Sequence, residues 1–225
     1  MVITSNLMAI GTIVFGFGLG FIIFVMFGGL SKEKRKIYLE EMISQLINLV
    51  IFVWVGKIIL NFPVFIEDPL TILAYPSDAN SFYLAFLFSG LLFFYKSSKW
   101  QLDTLLFLES FLLVLLTASL TFEFIQYIWN DNPFAFGYLI LLTILLLVFM
   151  FMQNRVASGT SILLILTVWS LGVLLLLFIQ PFVTVFGYMI TPWFLGLVFI
   201  IGFSYILYLK RKRRYSWEEL KQTQW

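Results

Sequence analysis

Apolar residues in this chain come in long blocks divided by short polar punctuation, not in the strict alternation of a half-buried strand. Seven blocks stand out: Leu7–Leu30, Met42–Phe62, Ser81–Tyr95, Asp103–Trp129, Phe134–Met152, Thr160–Gln180 and Trp193–Leu209. An α-helix needs about 20 apolar residues to cross the hydrocarbon core, and in lipid its backbone polar groups must be bonded within the segment. The pattern therefore predicts an all-α, polytopic transmembrane bundle of about seven spans over residues 1–209. A short basic tail over 210–225 follows, and no separate soluble domain is expected.

The polar punctuation orients the bundle. Numbering the connections alternately puts Lys32, Lys34, Arg35, Lys36, Lys96, Lys99, Arg155 and the run Lys210–Arg214 on one side. The positive-inside rule makes that side cytoplasmic. The other side holds Glu67, Asp68, Asp78 and Asp131 and no loop cation. It also holds all six prolines: Pro63, Pro69, Pro76, Pro133, Pro181 and Pro192. Proline breaks helices, so the two patterns support one alternation, with the N-terminus outside and the C-terminus in the cytoplasm. We call these the basic end and the proline end. Lys57 is the one cation out of place. Cations follow the first apolar block instead of preceding it, which predicts a retained helix and not a cleaved leader.

Several local expectations follow. Ser31–Lys36 reads as a basic loop, and Pro63–Asn80 as the longest loop. Asp78, Asn80 and Ser81 are placed to cap the third helix. Asn130-Asp131-Asn132-Pro133 reads as a tight turn. Pro181–Pro192 is largely apolar and reads as a loop or a re-entrant segment. Ser216 is a candidate N-cap for a short helix in the tail, with Glu218 and Glu219 in its first turn. Gly16 and Gly20, one turn apart, predict close packing of the first helix against a neighbour; they lie mid-span, with no strand before them, and do not form a nucleotide loop.

Composition agrees with the pattern. The chain is 61% hydrophobic and 12% charged, against about 45–50% and about 25% in soluble domains. It has no Cys and no His. That removes thiolate nucleophiles, His-ligated zinc or haem and Ser–His triads, and no cofactor or metal is expected. Any acid–base work falls to carboxylates, Tyr or Lys.

Charged groups inside a bilayer are expensive, which makes them the functional leads. These are Lys57 in the second block and Glu109 and Glu123 in the fourth, with Asn61, Gln126 and Tyr127 as polar neighbours. Lys57 and Glu123 are expected at similar depth, so an ion pair near the proline end is one expectation. Glu109 and Glu123 are fourteen residues apart, so they share a helix face about 21 Å apart along the axis. A polar interior built from the second and fourth spans would follow. Each residue also has a purely structural reading, as an interhelical hydrogen bond or a snorkelling side chain.

The class expected from these features is a multi-pass plasma-membrane protein, bacterial in style, with transport, channel-like or regulatory character. The competing class is a membrane-embedded enzyme acting on lipid or lipid-linked substrates at the outer leaflet, with Glu123, Tyr127 and the Tyr75–Ser81 loop as its site. An assembly or scaffold partner is the third. The bilayer, a membrane-protein partner and further copies of the chain are the partners open to it. Nucleic acid is not, because nothing organises the basic run Lys210–Arg214; that run suits anionic lipid heads.

Overall fold

A computed structural model describes the backbone of residues 2–74, 78–100, 103–153 and 155–222. The fold is almost wholly helical. Helix α1 (Val2–Phe27) is followed by α2 (Lys32–Leu60), two short helices α3 (Phe62–Glu67) and α4 (Thr71–Ala74), then α5 (Ala79–Trp100). Next come α6 (Thr104–Trp129), α7 (Ala135–Met152) and α8 (Ser158–Ile179), a hairpin of β1 (Thr184–Val185) and β2 (Tyr188–Met189), and α9 (Pro192–Gln222). Among the described residues, α1, α2, α6, α7 and α8 are long and apolar enough to cross a membrane. Helices α5 and α9 coincide with the other two apolar blocks; the apolar part of α9 is Pro192–Tyr208.

Element boundaries moved where local chemistry extends a helix. The expected basic loop Ser31–Lys36 is instead the first turns of α2, because the Ser31 hydroxyl accepts from the Lys34 N–H and Glu33 sits in the first turn. Gly29, at φ 63°, separates it from α1. The third block is longer than expected, since α5 continues through Lys96. Ser216 is not an N-cap: α9 runs through it to Gln222 without a break. The long loop contains α3 and α4, with Pro63 in the first turn of α3. Asp68 closes the turn between them by accepting from Thr71 Oγ1 at 2.7 Å and from the Leu70 N–H at 3.0 Å. Those two bonds, the hydroxyl's first, hold its carboxyl below the ordinary carboxylate value.

Pro181–Pro192 folds as a β-hairpin with register Thr184↔Met189 and Val185↔Tyr188. Its two-residue turn, Phe186-Gly187, has φ of 50° and 87°, the positive values that a tight hairpin turn requires. The hairpin enters the bundle. The Phe186 ring stacks on Phe17 at 5.3 Å and meets Phe122 edge-on at 5.8 Å. Phe122 lies seven residues before the end of α6, a depth of about 10 Å at helical rise. Non-helical backbone at such depth is tolerated where protein covers it, and Val183 and Ile190 are buried.

Helix α6 is the centre. It packs on α1, α7 and α8, while α2 pairs with α5 and α8 with α9. One core joins Leu112, Leu113 and Leu116 of α6 to Tyr138, Leu142 and Leu145 of α7, to α8 and to the hairpin. A second, at the basic end, joins Phe24, Tyr38, Met42, Phe93 and Phe107. There Phe107 stacks on Phe93 at 4.8 Å and meets Tyr38 edge-on at 5.6 Å, tying α2 and α5 to α6. At the proline end the tie is made by Tyr83, whose hydroxyl lies 2.9 Å from Thr191 Oγ1 and accepts from the Thr191 N–H at 2.8 Å.

The glycine expectation holds. A Cβ on Gly16 would lie 2.9 Å from the Ala118 carbonyl oxygen, and one on Gly20 would lie 2.8 Å from that of Val114. Gly18 meets nothing within 4 Å. Gly16→Ala or Gly20→Ala should therefore destabilise the α1–α6 contact by about 1–3 kcal/mol, whereas Gly18→Ala should be neutral or stabilising by up to about 1 kcal/mol. Thermal unfolding of the three variants in one detergent measures this; equal melting temperatures would refute the close contact.

Candidate functional site

The six residues singled out by sequence do not form one constellation. Lys57 and Glu123 are not paired. Lys57 is 6% exposed, at the α2–α5 contact, with its ammonium 5.1 Å from the centre of the Trp54 ring. Among the described residues, the Asp78 carboxylate acts on its charge. Next to it, Gly56 sits against the backbone of Ser81, where a Cβ would come within 2.9 Å of the carbonyl oxygen. Asp78 is the cap expected for the third helix, accepting from the Ser81 N–H at 2.9 Å and the Ser81 hydroxyl at 2.5 Å. Partial burial pushes its carboxyl up, but these two bonds, together with those from its own backbone N–H and the Asn80 side chain, hold it below the ordinary carboxylate value. The Tyr75–Ser77 part of that loop lies outside the described residues.

Asn61 and Gln126 serve helix ends. The Asn61 side-chain amide and backbone N–H both donate to the Lys57 carbonyl at 3.0 Å, closing α2. Gln126 Oε1 accepts from Asn130 at 2.5 Å where α6 stops, and Asp131 takes the left-handed φ of 46° that follows. Tyr127 is 42% exposed and leans on Phe136 at 5.2 Å. It is not among the residues that line the recess beside Glu123. The second and fourth spans are not each other's main partners: α2 pairs with α5, and α6 with α1, α7 and α8.

Glu123 has the most enclosed setting of the six. It is 2% exposed, and its Oε1 has no hydrogen-bond partner. It lines a recess of about 10 Å³ with Asn132, Tyr138 and Thr184 as the other polar residues and Phe134, Ala135, Phe182 and Val183 as the apolar walls. That volume is close to the minimum for one water molecule. Three elements build the recess: α6 supplies the acid, the start of α7 supplies Tyr138, and β1 of the hairpin closes it. Tyr138 is fully buried, and its hydroxyl accepts from Trp169 Nε1 of α8 at 3.0 Å, which fixes the ring and leaves the phenolic proton to be donated elsewhere. Helices α1, α6, α7 and α8 and the hairpin contain no Lys and no Arg. The Glu123 charge thus has no side-chain cation on any element packed around it, and in a low-dielectric interior that is costly.

Glu109, nearer the basic end, is 7% exposed and its Oε1 is likewise without a partner. The two acids are separated by the apolar core around Leu112, Leu113 and Leu116. The Ser161 hydroxyl of α8 is a further buried group with no partner. Among the described residues no cluster of three or more acidic groups suited to a metal occurs.

Sequence reasoning missed a second polar cluster. Glu41, 4% exposed, accepts from Gln45 Nε2 at 2.6 Å and pairs with Lys96 Nζ at 3.4 Å; Lys96 also donates to Ser44 Oγ at 3.1 Å. The Glu41–Gln45 spacing of one turn was the available signal. Lys96 had no signal, because it reads as an end-of-span cation. Tyr138 was legible as the one titratable residue of its block.

Removing one partner of a buried ion pair strands the other. Lys96→Met should destabilise the protein by about 2 kcal/mol, below the range for fully buried pairs because Lys96 retains some contact with solvent. The double variant Glu41→Met/Lys96→Met should recover most of that loss. Chemical or thermal unfolding of both variants measures the difference, and equal stability of the single and double variants would remove the pair from the account.

Comparison with known proteins finds no match to this chain among protein-family models, curated proteins or solved structures.

Proposed function

We propose that the chain is a seven-span plasma-membrane protein, N-terminus outside and C-terminus cytoplasmic, that moves protons or small cations, with Glu123 as the working group. The observation that carries the reading is the Glu123 carboxylate: enclosed, with an unpartnered oxygen, in a body of helices that supplies no cation. Carboxylates kept inside a membrane domain mark ion and proton paths. The enclosure lies at the proline end, which in this orientation faces outward. Glu109 is the second station, and the apolar core between the two acids blocks direct passage. Transfer across it then requires a change of packing, as in proteins that open alternately to the two sides.

Orientation is testable because the chain has no native cysteine. Leu70→Cys, in the exposed turn between α3 and α4, should react with a membrane-impermeant maleimide on intact cells. Lys34→Cys should react only after permeabilisation. The reverse pattern would overturn the orientation.

The activity is tested by purified protein in liposomes with an entrapped pH dye and an imposed membrane potential. Wild type should carry a flux above that of empty vesicles, and Glu123→Gln should return it to background. Tyr127→Phe should retain it. A Glu123→Gln protein as active as wild type, or a wild type no better than empty vesicles, would sink the proposal.

A further inference from the structure

The size, charge and ligand type of the recess together bear on the class of occupant. Its volume of about 10 Å³ is close to that of one water molecule. Its charge calls for a single positive unit, because Glu123 is the one acid in the recess and no cation faces it. Tyr138 is the other titratable residue facing Glu123 from the elements packed around it; α1 and α8 contain none, and Tyr188 of the hairpin is stacked on Phe82 at 4.8 Å instead. The donors are oxygens of a carboxylate, a phenol and a hydroxyl beside one carboxamide, with no thiol or imidazole anywhere in the chain. Such donors suit a hard cation. A divalent ion would be left undercompensated by one carboxylate.

Resting on the reading of Glu123 given above, we infer that the recess is a binding site for one monovalent alkali cation, held by Glu123 with Tyr138 and Thr184 and competing with a proton for the same carboxylate. Thr184 belongs to the hairpin, so the occupant touches both the helical body and the segment that covers it. The Phe186 ring, seated between Phe17 and Phe122, and the core residues Val183 and Ile190 hold the hairpin in place.

The test uses full-length protein in detergent and dicyclohexylcarbodiimide, which adds to a protonated carboxyl: the carboxyl oxygen bonds to the carbodiimide carbon and the proton passes to nitrogen. The label on the Glu123 peptide is followed by mass spectrometry at fixed pH and ionic strength, with choline chloride replaced by sodium or potassium chloride. The expected result is that sodium or potassium slows labelling of Glu123 while choline does not, and that raising the pH slows it as well. Glu109, outside the recess, should be labelled at a rate independent of the salt. Tyr138→Phe and Thr184→Val should each weaken protection by the alkali ion about tenfold, the loss of one ligand. Labelling of Glu123 that follows pH but is indifferent to both alkali ions overturns the metal-ion occupant and leaves the proton reading standing. No labelling of Glu123 at any pH overturns both.

Discussion

Helix α6 touches α1, α7 and α8 at once, and of the five apolar spans it is the one mostly enclosed by protein. That enclosure depends on close backbone approach. Gly16 and Gly20 of α1 let the two helices meet where any side chain would collide with the carbonyls of Val114 and Ala118. In a bilayer, where lipid is as apolar as Leu, such packing is a main source of helix association. On the opposite side α6 presents Leu112, Leu113 and Leu116 to Tyr138, Leu142 and Leu145 of α7. The two acids of α6 are buried because the helix is.

Around that axis the charges are distributed unevenly. The α2–α5 pair holds both signs: Glu41 with Lys96 toward the basic end, and Lys57 beside Asp78 toward the proline end. The body made by α1, α6, α7, α8 and the hairpin holds Glu109 and Glu123 and no base. In the first unit each buried charge has an opposite charge acting on it; the second unit supplies no side-chain cation to its two acids. Aromatic and hydroxyl contacts tie the two units: Phe107 with Phe93 and Tyr38 at one end, Tyr83 with Thr191 at the other.

The hairpin solves a backbone problem and walls the recess beside Glu123 in doing so. Two prolines bracket a segment too short and too broken for a helix, yet too apolar to remain in water. Pairing β1 with β2 satisfies part of its backbone, and the Phe186 ring fills the space between α1 and α6. With the hairpin seated, Val183 and Thr184 close the space beside Glu123. An enclosed carboxylate follows from where an awkward connection finds cover.

The sequence by itself determined that the chain is a bundle of apolar helices, roughly where each begins and ends, that Asp78 caps the third long helix, and that Gly16 and Gly20 mark a close contact. These are short-range matters: span length, turn chemistry and the absence of a Cβ act within one segment. It also named Glu109 and Glu123, since an acid in an apolar block is visible without a fold. Only the tertiary structure decided the partners. Lys57 and Glu123 matched in depth along the chain, but depth leaves open which helices are neighbours, and the main partner of α2 is α5, its contact with α6 lying at the basic end, away from Lys57. Likewise Asn61, Gln126 and Tyr127 shared a depth with the charged residues; their hydrogen bonds to helix ends and exposure to the outside became visible once the helices were assembled. Hydrophobic blocks specify that a helix enters lipid, while the choice of neighbour rests on side-chain shape summed over many weak contacts, which no single residue announces.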